Sequence, residues 1–232
     1  MMLDRLRKEV YKANIDLVKH GLVIHTWGNV SGRDPERGLV VIKPSGVSYS
    51  SMSADDMVII DEEGVVIEGR YKPSTDAPTH LFLYKKFPSI GGVVHTHSTY
   101  ATTWAQAGKD IPPLGTTHAD HYYGEVPCTR KLTDDEIEND YELNTGRVIV
   151  ERLGKSDPLA VPSALVNCHG PFCWGLDAEE AVYNAAALEE IARIAFYTVL
   201  LGNKTPIQDG LLNKHFRRKH GDGAYYGQTE KK

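Results

Sequence analysis

The chain has 232 residues, 41% hydrophobic and 25% charged, the makeup of an ordinary globular protein of one large domain, which excludes collagen, coiled coil and wholesale disorder. Twenty-six basic residues against thirty-one acidic give a formal charge of −5. The overall field therefore offers nucleic acid or an anionic membrane no grip, and an anionic ligand must be met by a few placed groups.

The first element in the chain is a helix. Leu3, Leu6, Val10, Ala13 and Leu17 recur at helical spacing, and Gly21 supplies the stop. Leu22–Ser31 and Leu39–Ile42 read as strands around the turn-rich segment 32–38. Ser53 with Asp56 resembles a short helix start, and Val58–Asp61 with Val65–Glu68 form a hairpin across Glu62-Glu63-Gly64. Pro73–Pro78 opens a helix that runs to Phe87, because a hydroxyl cap and a proline confined to the first turn suit a helix N-terminus. Gly92–His97 is a strand, and Ser98 can cap the helix Tyr100–Ala107.

A loop-rich middle follows, with a solvated helix start at Thr133–Asp140. Arg147–Arg152 and Ala164–Cys168 read as further strands. Asp177 with Glu180 opens the clearest helix, ending near Gly202, and a short basic helix, Leu211–His220, leads into Ala224–Gln228. Trp104 and Trp174 are assigned to the core or to subunit contacts. No repeat or linker divides the chain, so residues 1–228 are expected to form one domain. Its class is α/β, with a mixed or antiparallel sheet indicated by the hairpins.

Cys128, Cys168 and Cys173 make no CxxC and leave one cysteine unpaired, usage that fits a reducing cytosol. The start of the chain is charged throughout, and the longest apolar stretch, Ile191–Leu201, is interrupted by Arg193 and falls short of the roughly 20 residues of a membrane span. The expected location is the cytoplasm.

Ten histidines are present, and three invite a metal. Side chains two apart on a strand share a face, so His95 and His97 project together. His169 closes the apolar run that begins at Ala164, just before Gly170-Pro171. Three neutral imidazoles with an open position describe a catalytic zinc site better than a closed, thiolate-rich structural one. Asp76, at a helix start, suits either a fourth ligand or the base beside the metal. Cys168, preceding His169 on the strand, is expected to face away.

A second set of residues suits an anion. Lys43-Pro44-Ser45-Gly46 leaves a strand with a cation, a hydroxyl and a glycine. Gly28 and Asn29 sit in the neighbouring run, and Ser74 and Thr75 offer hydroxyls and N–H groups at a helix N-terminus. Together they outline a phosphate pocket. Neither a Walker loop nor GxGxxG is present, so a nucleotide is not indicated.

These segments also carry a resemblance. Thr26–Ser31, Ile42–Val47, Lys72–Asp76, His95–Ser98, Gly115-Thr116-Thr117-His118-Ala119-Asp120, His169–Phe172 and Tyr225-Tyr226-Gly227-Gln228 occur in one order. The chain resembles, essentially end to end, the class II aldolase/adducin family, and the last-named threonine-rich and tyrosine-rich segments point to its epimerase branch. The resemblance implies a three-layer α/β/α fold with a central, mainly antiparallel sheet. It also implies a homotetramer with sites between neighbouring subunits, and one zinc per subunit held by His95, His97 and His169 with Asp76 at or next to it. Phosphate and substrate contacts would fall to Gly28, Asn29, Lys43, Ser45, Gly46, Ser74 and Thr75.

The implied reaction inverts C4 of a phosphorylated ketopentose, L-ribulose 5-phosphate, to give D-xylulose 5-phosphate. The C4 hydrogen is not acidic, so inversion proceeds by cleavage of C3–C4, rotation of the aldehyde and re-addition. That scheme needs a proton donor and acceptor on each face of the aldehyde oxygen, and the resemblance assigns these to Asp120 and Tyr226. His215 and Arg218 are expected to hold the tail, meet substrate, or simply form a basic helix surface. Thr229–Lys232 are expected to be disordered. The competing readings are a class II sugar-phosphate aldolase, in which a glutamate would stand where Asp76 does, and a non-catalytic scaffold, in which the histidine set would be eroded.

Overall fold

A computed structural model describes residues 2–221 and 223–226. Helix α1 (Asp4–Lys19) follows the predicted stripe, burying Val10, Ala13 and Leu17. Its buried Asn14 stitches it to strand β1 (Gly28–Asp34): Oδ1 accepts from the Val30 N–H at 3.0 Å and Nδ2 donates to the Val30 carbonyl at 3.2 Å. Strands β2 (Leu39–Ile42), β3 (Val58–Asp61) and β4 (Val66–Glu68) follow, with the short helix Ala54–Asp56 between β2 and β3. Then come α2 (Ala77–Lys86), β5 (Gly92–Thr96) and α3 (Thr99–Gln106), and after them α4 (Thr116–Ala119), α5 (Asp134–Glu138) and α6 (Tyr141–Leu153). The chain closes with β6 (Ser163–Leu165), β7 (Pro171–Gly175), α7 (Ala178–Leu200) and α8 (Asp209–Lys219).

The seven strands form one sheet in the order β4-β3-β2-β1-β5-β7-β6, and every neighbouring pair is antiparallel. The layers follow from alternation along β1. A Cβ on Gly32 would meet Val10 of α1 at 2.9 Å, whereas Ser31 bonds His80 and Tyr84 of α2, both at 2.8 Å. Adjacent strand residues face opposite sides, so α1 and α2 cover opposite faces. Helix α7 packs on β7 and β5 beside α1, which lies over β1, and α6 packs on α2. The expected α/β architecture with a central antiparallel sheet is thus present, and Trp104 and Trp174 are both buried.

Several local expectations need correction. Leu22–Trp27 is loop, and β1 begins only at Gly28 but runs through Asp34, into the segment read as a turn. Gly32 and Arg33 signal close packing there rather than reversal. Arg147–Arg152 is helical, not a strand: Asn144, Thr145, Val148, Ile149 and Leu153 are buried at spacings of three and four within α6. β6 is shorter than Ala164–Cys168, and Cys168 lies beyond it, exposed and with φ +63°, in the turn before β7. Its expected position on the strand's opposite face is therefore wrong. Strand β7, hidden behind Gly170-Pro171, went unread, and so did α4. His97 stands one residue past the end of β5.

Candidate functional site

The antiparallel register of β1, β5 and β7 sets Asn29, His95 and Phe172 side by side in one row of the central sheet. His95 is buried, and its Nδ1 donates to the Pro171 carbonyl at 3.0 Å. Its ring stacks on Phe172 with centroids 4.2 Å apart and planes at 18°. Both contacts fix the imidazole so that Nε2 carries the lone pair and points to Nε2 of His97, 3.1 Å away. From the β6–β7 turn comes His169, whose Nδ1 lies 3.2 Å from the Tyr141 hydroxyl. The ligand atoms of His95, His97 and His169 all lie within 4.8 Å of one another.

This arrangement fits a metal ion. Two facing imidazole lone pairs 3.1 Å apart repel unless a cation or a proton lies between them, and bonds of about 2.0–2.1 Å span that separation. Burial, reinforced by His95 and His97, pushes His169 down to about 3, and burial lowers His97 as well. Neutral imidazole is the form that ligates. Each fixed ring also has an outer partner, the Pro171 carbonyl for His95 and the Tyr141 hydroxyl for His169, as metal-binding histidines require.

Asp76 lines the same cleft but stands outside that cluster of three. Its Oδ2 accepts from Asn29 Nδ2 at 2.6 Å. Burial works to raise its pKa, but the neighbouring His95 and His80 and the Asn29 amide outweigh it and hold the carboxyl below its usual value. It is an ionised group beside the histidines.

The cleft, about 640 Å³, is also lined by Gly28, Asn29, Lys43, Ser45, Gly46, Ser74 and Thr75. The two loops that supply most of them are paired by an antiparallel bridge between Pro44 and Pro73. Ser45 N–H donates to the Lys72 carbonyl at 3.0 Å and Ser74 N–H to the Lys43 carbonyl at 2.9 Å. The Ser74 N–H expected to be free for an anion is therefore spent on the fold. The Lys43 side chain is buried, its Nζ donating to the carbonyls of Val47 at 2.9 Å and Pro44 at 3.3 Å, and burial lowers its pKa to about 8. Gly28 has φ +131°, and a Cβ there would meet the His95 carbonyl and a Val23 methyl at 2.8 Å each, so no other residue fits. At Gly46, with φ +68°, a Cβ would meet nothing within 4 Å, which leaves the loop open toward the cleft.

Asp120 and Tyr226 line a different cleft, about 770 Å³, between the end of α4 and α8. Within one chain they are not brought to the histidines. Asp120 accepts from His215 Nδ1 at 3.0 Å and from Arg218 at 3.0 and 2.7 Å, with Lys219 Nζ at 3.5 Å. Burial would raise its pKa, but the Arg218 and His215 hydrogen bonds lower it, so it is ionised. His215 and Arg218 thus grip Asp120, an alternative the sequence did not suggest. Tyr226 is exposed and its ring lies under Arg218 and Lys219, at 4.9 and 4.7 Å. Gly227 and Gln228 of the terminal motif, and the tail Thr229–Lys232, lie outside the described residues.

Two lining residues went unread, Tyr141 and Glu142 at the start of α6. The signal was the helical spacing from Asn144 to Leu153, which the strand reading of 147–152 obscured.

The sequence model of the Class II Aldolase and Adducin N-terminal domain matches residues 8–196. The chain belongs to the class II aldolase and adducin family. Among curated members, it is 58% identical over 227 residues to "L-ribulose-5-phosphate 4-epimerase UlaF" of Salmonella paratyphi A (strain ATCC 9150 / SARB42), covering 97% of this chain and 100% of that protein. Among solved structures, an L-fuculose 1-phosphate aldolase superposes with a TM-score of 0.78 at 24% identity, covering 91% of this chain and 94% of the other. A second, from Glaciozyma antarctica PI12, gives 0.77 at 19% identity, covering 95% and 84%. At those identities the aldolases establish the fold alone.

Proposed function

We propose that the chain is a metal-dependent L-ribulose-5-phosphate 4-epimerase, an isomerase that interconverts L-ribulose 5-phosphate and D-xylulose 5-phosphate. The observation that carries this reading is a single cleft that holds three clustered histidines beside two bridged, hydroxyl-rich loops and a buried lysine. The name borne by the 58%-identical relative selects the reaction from those that such a cleft could serve.

His95, His97 and His169 would hold one zinc ion per subunit, with Asp76 beside it. Bound there, zinc supplies Lewis-acid stabilisation of negative charge developing on substrate oxygens. Lys43, Ser45, Gly46, Ser74 and Thr75 grip the phosphate, with Gly28 and Asn29 forming the adjoining wall. That grip keeps the small aldehyde fragment in place while it turns. One of Asp120 and Tyr226 removes the proton from the C4 hydroxyl, and the C3–C4 electron pair stays on C3. The fragments are the enediolate of dihydroxyacetone and glycolaldehyde phosphate. Once the aldehyde presents its other face, the C3 carbon re-adds and the second of the two residues protonates the new C4 oxygen. Atoms and charge balance, and only C4 is inverted.

The separation of the Asp120–Tyr226 cleft from the histidine cleft supports assembly of each site from two subunits, in a homotetramer of chains that each contribute one catalytic domain, residues 1–228. No described helix is long and apolar enough to cross a membrane, and we place the enzyme in the cytoplasm. Metal-loaded protein given L-ribulose 5-phosphate tests the reading. D-xylulose 5-phosphate should form without accumulation of dihydroxyacetone or glycolaldehyde phosphate, and free fragments as main products would show an aldolase instead.

A further inference from the structure

Three backbone segments build the anion side of the cleft. Two of them, 43–46 and 73–75, are joined by the Pro44–Pro73 bridge. The third, at Gly28, reaches them through Tyr49, a buried residue just beyond the Lys43 loop. Its hydroxyl donates to the Gly28 carbonyl at 2.7 Å, and its ring face lies 4.9 Å from Lys43 Nζ.

We propose that Tyr49 is a positioning residue for the substrate's phosphate, holding the Gly28 segment and the Lys43 ammonium in one arrangement. An ammonium has three donors, and two of those on Lys43 are committed to the carbonyls of Pro44 and Val47. The third is left for the cleft that Lys43 lines. The electron-rich face of Tyr49 favours the charged form of an amine that burial disfavours, so the same ring that shields Lys43 from water helps keep its charge. On the other side, the hydroxyl donates to the carbonyl of Gly28, a glycine that tolerates no side chain. Without it Gly28 loses the bond that fixes its distance from the Lys43 loop. Tyr49 therefore acts on the phosphate through its neighbours, without lining the cleft itself.

This inference rests on the sugar-phosphate reading of the cleft, and the test separates the two. In metal-loaded protein, KM for L-ribulose 5-phosphate and the inhibition constant for inorganic phosphate are measured together. Tyr49→Phe keeps the ring and loses the Gly28 bond, and both constants should rise in parallel by about fivefold, the worth of one ordinary buried hydrogen bond. The kcat should change by less than twofold and bound metal not at all. Tyr49→Leu removes ring and hydroxyl and should raise both constants further, with far-UV circular dichroism reporting whether it is folded. Constants unchanged in Tyr49→Phe, or a fall in kcat with KM unchanged, would overturn the role of Tyr49. If inorganic phosphate does not compete in the unaltered protein, the sugar-phosphate reading fails and takes this proposal with it.

Discussion

Nδ1 of His95 is held by the carbonyl of Pro171 at 3.0 Å, a contact between the strand that carries one candidate ligand and leads into a second and the strand that follows the third. The next residue, Phe172, stacks on the same imidazole. The ring is therefore oriented by the sheet before any ion arrives, the kind of outer support that sets metal affinity. Phe172→Leu keeps an apolar side chain but loses the flat platform. Zinc affinity, measured by competition with a chromogenic chelator, should fall by about tenfold. An unchanged affinity would mean that the Pro171 carbonyl alone fixes the ring.

Removing two ligands is more drastic. The His95→Ala, His97→Ala double variant should lose stoichiometric metal by elemental analysis. Full retention of metal would place the ion elsewhere.

Asp120 and the histidines line separate clefts of one chain. If neighbours share sites, Asp120→Asn and the His95→Ala, His97→Ala variant each lack a different half. Unfolded together and refolded as mixed oligomers, the two inactive proteins should recover up to about a quarter of the activity, from random pairing of intact halves. Mixing that restores nothing would mean that each chain completes its own site.

Burial lowers Lys43 from 10.5 to about 8, which gives two opposite pH trends. The ammonium is lost above pH 8, so kcat/KM for the phosphate ester should decline there, since that parameter reports the free enzyme. Stability moves the other way. Between pH 8 and 10.5 the unfolded chain binds the proton that the folded chain has released, so this group's contribution rises with pH. Lys43→Met should remove the alkaline limb of the rate profile along with most of the phosphate affinity.

Helices α1 and α7, the β3–β4 hairpin and the residues that gather in the histidine cleft were legible because each announces itself locally. Val10, Ala13 and Leu17 repeat at helical spacing, Glu62-Glu63-Gly64 is turn chemistry, and HxH places two imidazoles on one face. Where short apolar runs had to be judged without their partners, the reading failed. Val148 and Ile149 look like a strand until Asn144, Thr145 and Leu153 are seen to share their buried face. β7 begins at a proline and is recognisable only through its pairing with β5. The grip of His215 and Arg218 on Asp120 crosses some hundred residues of sequence, and no local pattern encodes it.

Two buried imidazoles that are not candidate ligands should govern acid stability. Burial pushes His80 down to about 3 and His118 to about 4, against an ordinary 6.5. Below pH 6.5 the unfolded chain takes up protons that these sites refuse, so stability falls with pH until the folded pKa is reached. By pH 5 each should cost on the order of 2 kcal/mol. Urea unfolding at pH 7 and pH 5 measures the loss, and His118→Gln should reduce the pH dependence by about one imidazole's share. An unchanged dependence would show that His118 is charged in the folded chain.

In the bridge between Pro44 and Pro73 the two hydrogen bonds come from the following residues, Ser45 N–H to the Lys72 carbonyl and Ser74 N–H to the Lys43 carbonyl. In such a rung the paired residues turn their own backbone groups outward, so proline fits at both positions without costing the pairing a bond. The two loops are thus joined rigidly while their outer edges carry no amide donor at either proline. Replacing either proline with a residue that has an amide proton would leave the bridge intact but add a donor on the outer edge that water or a neighbouring group must satisfy.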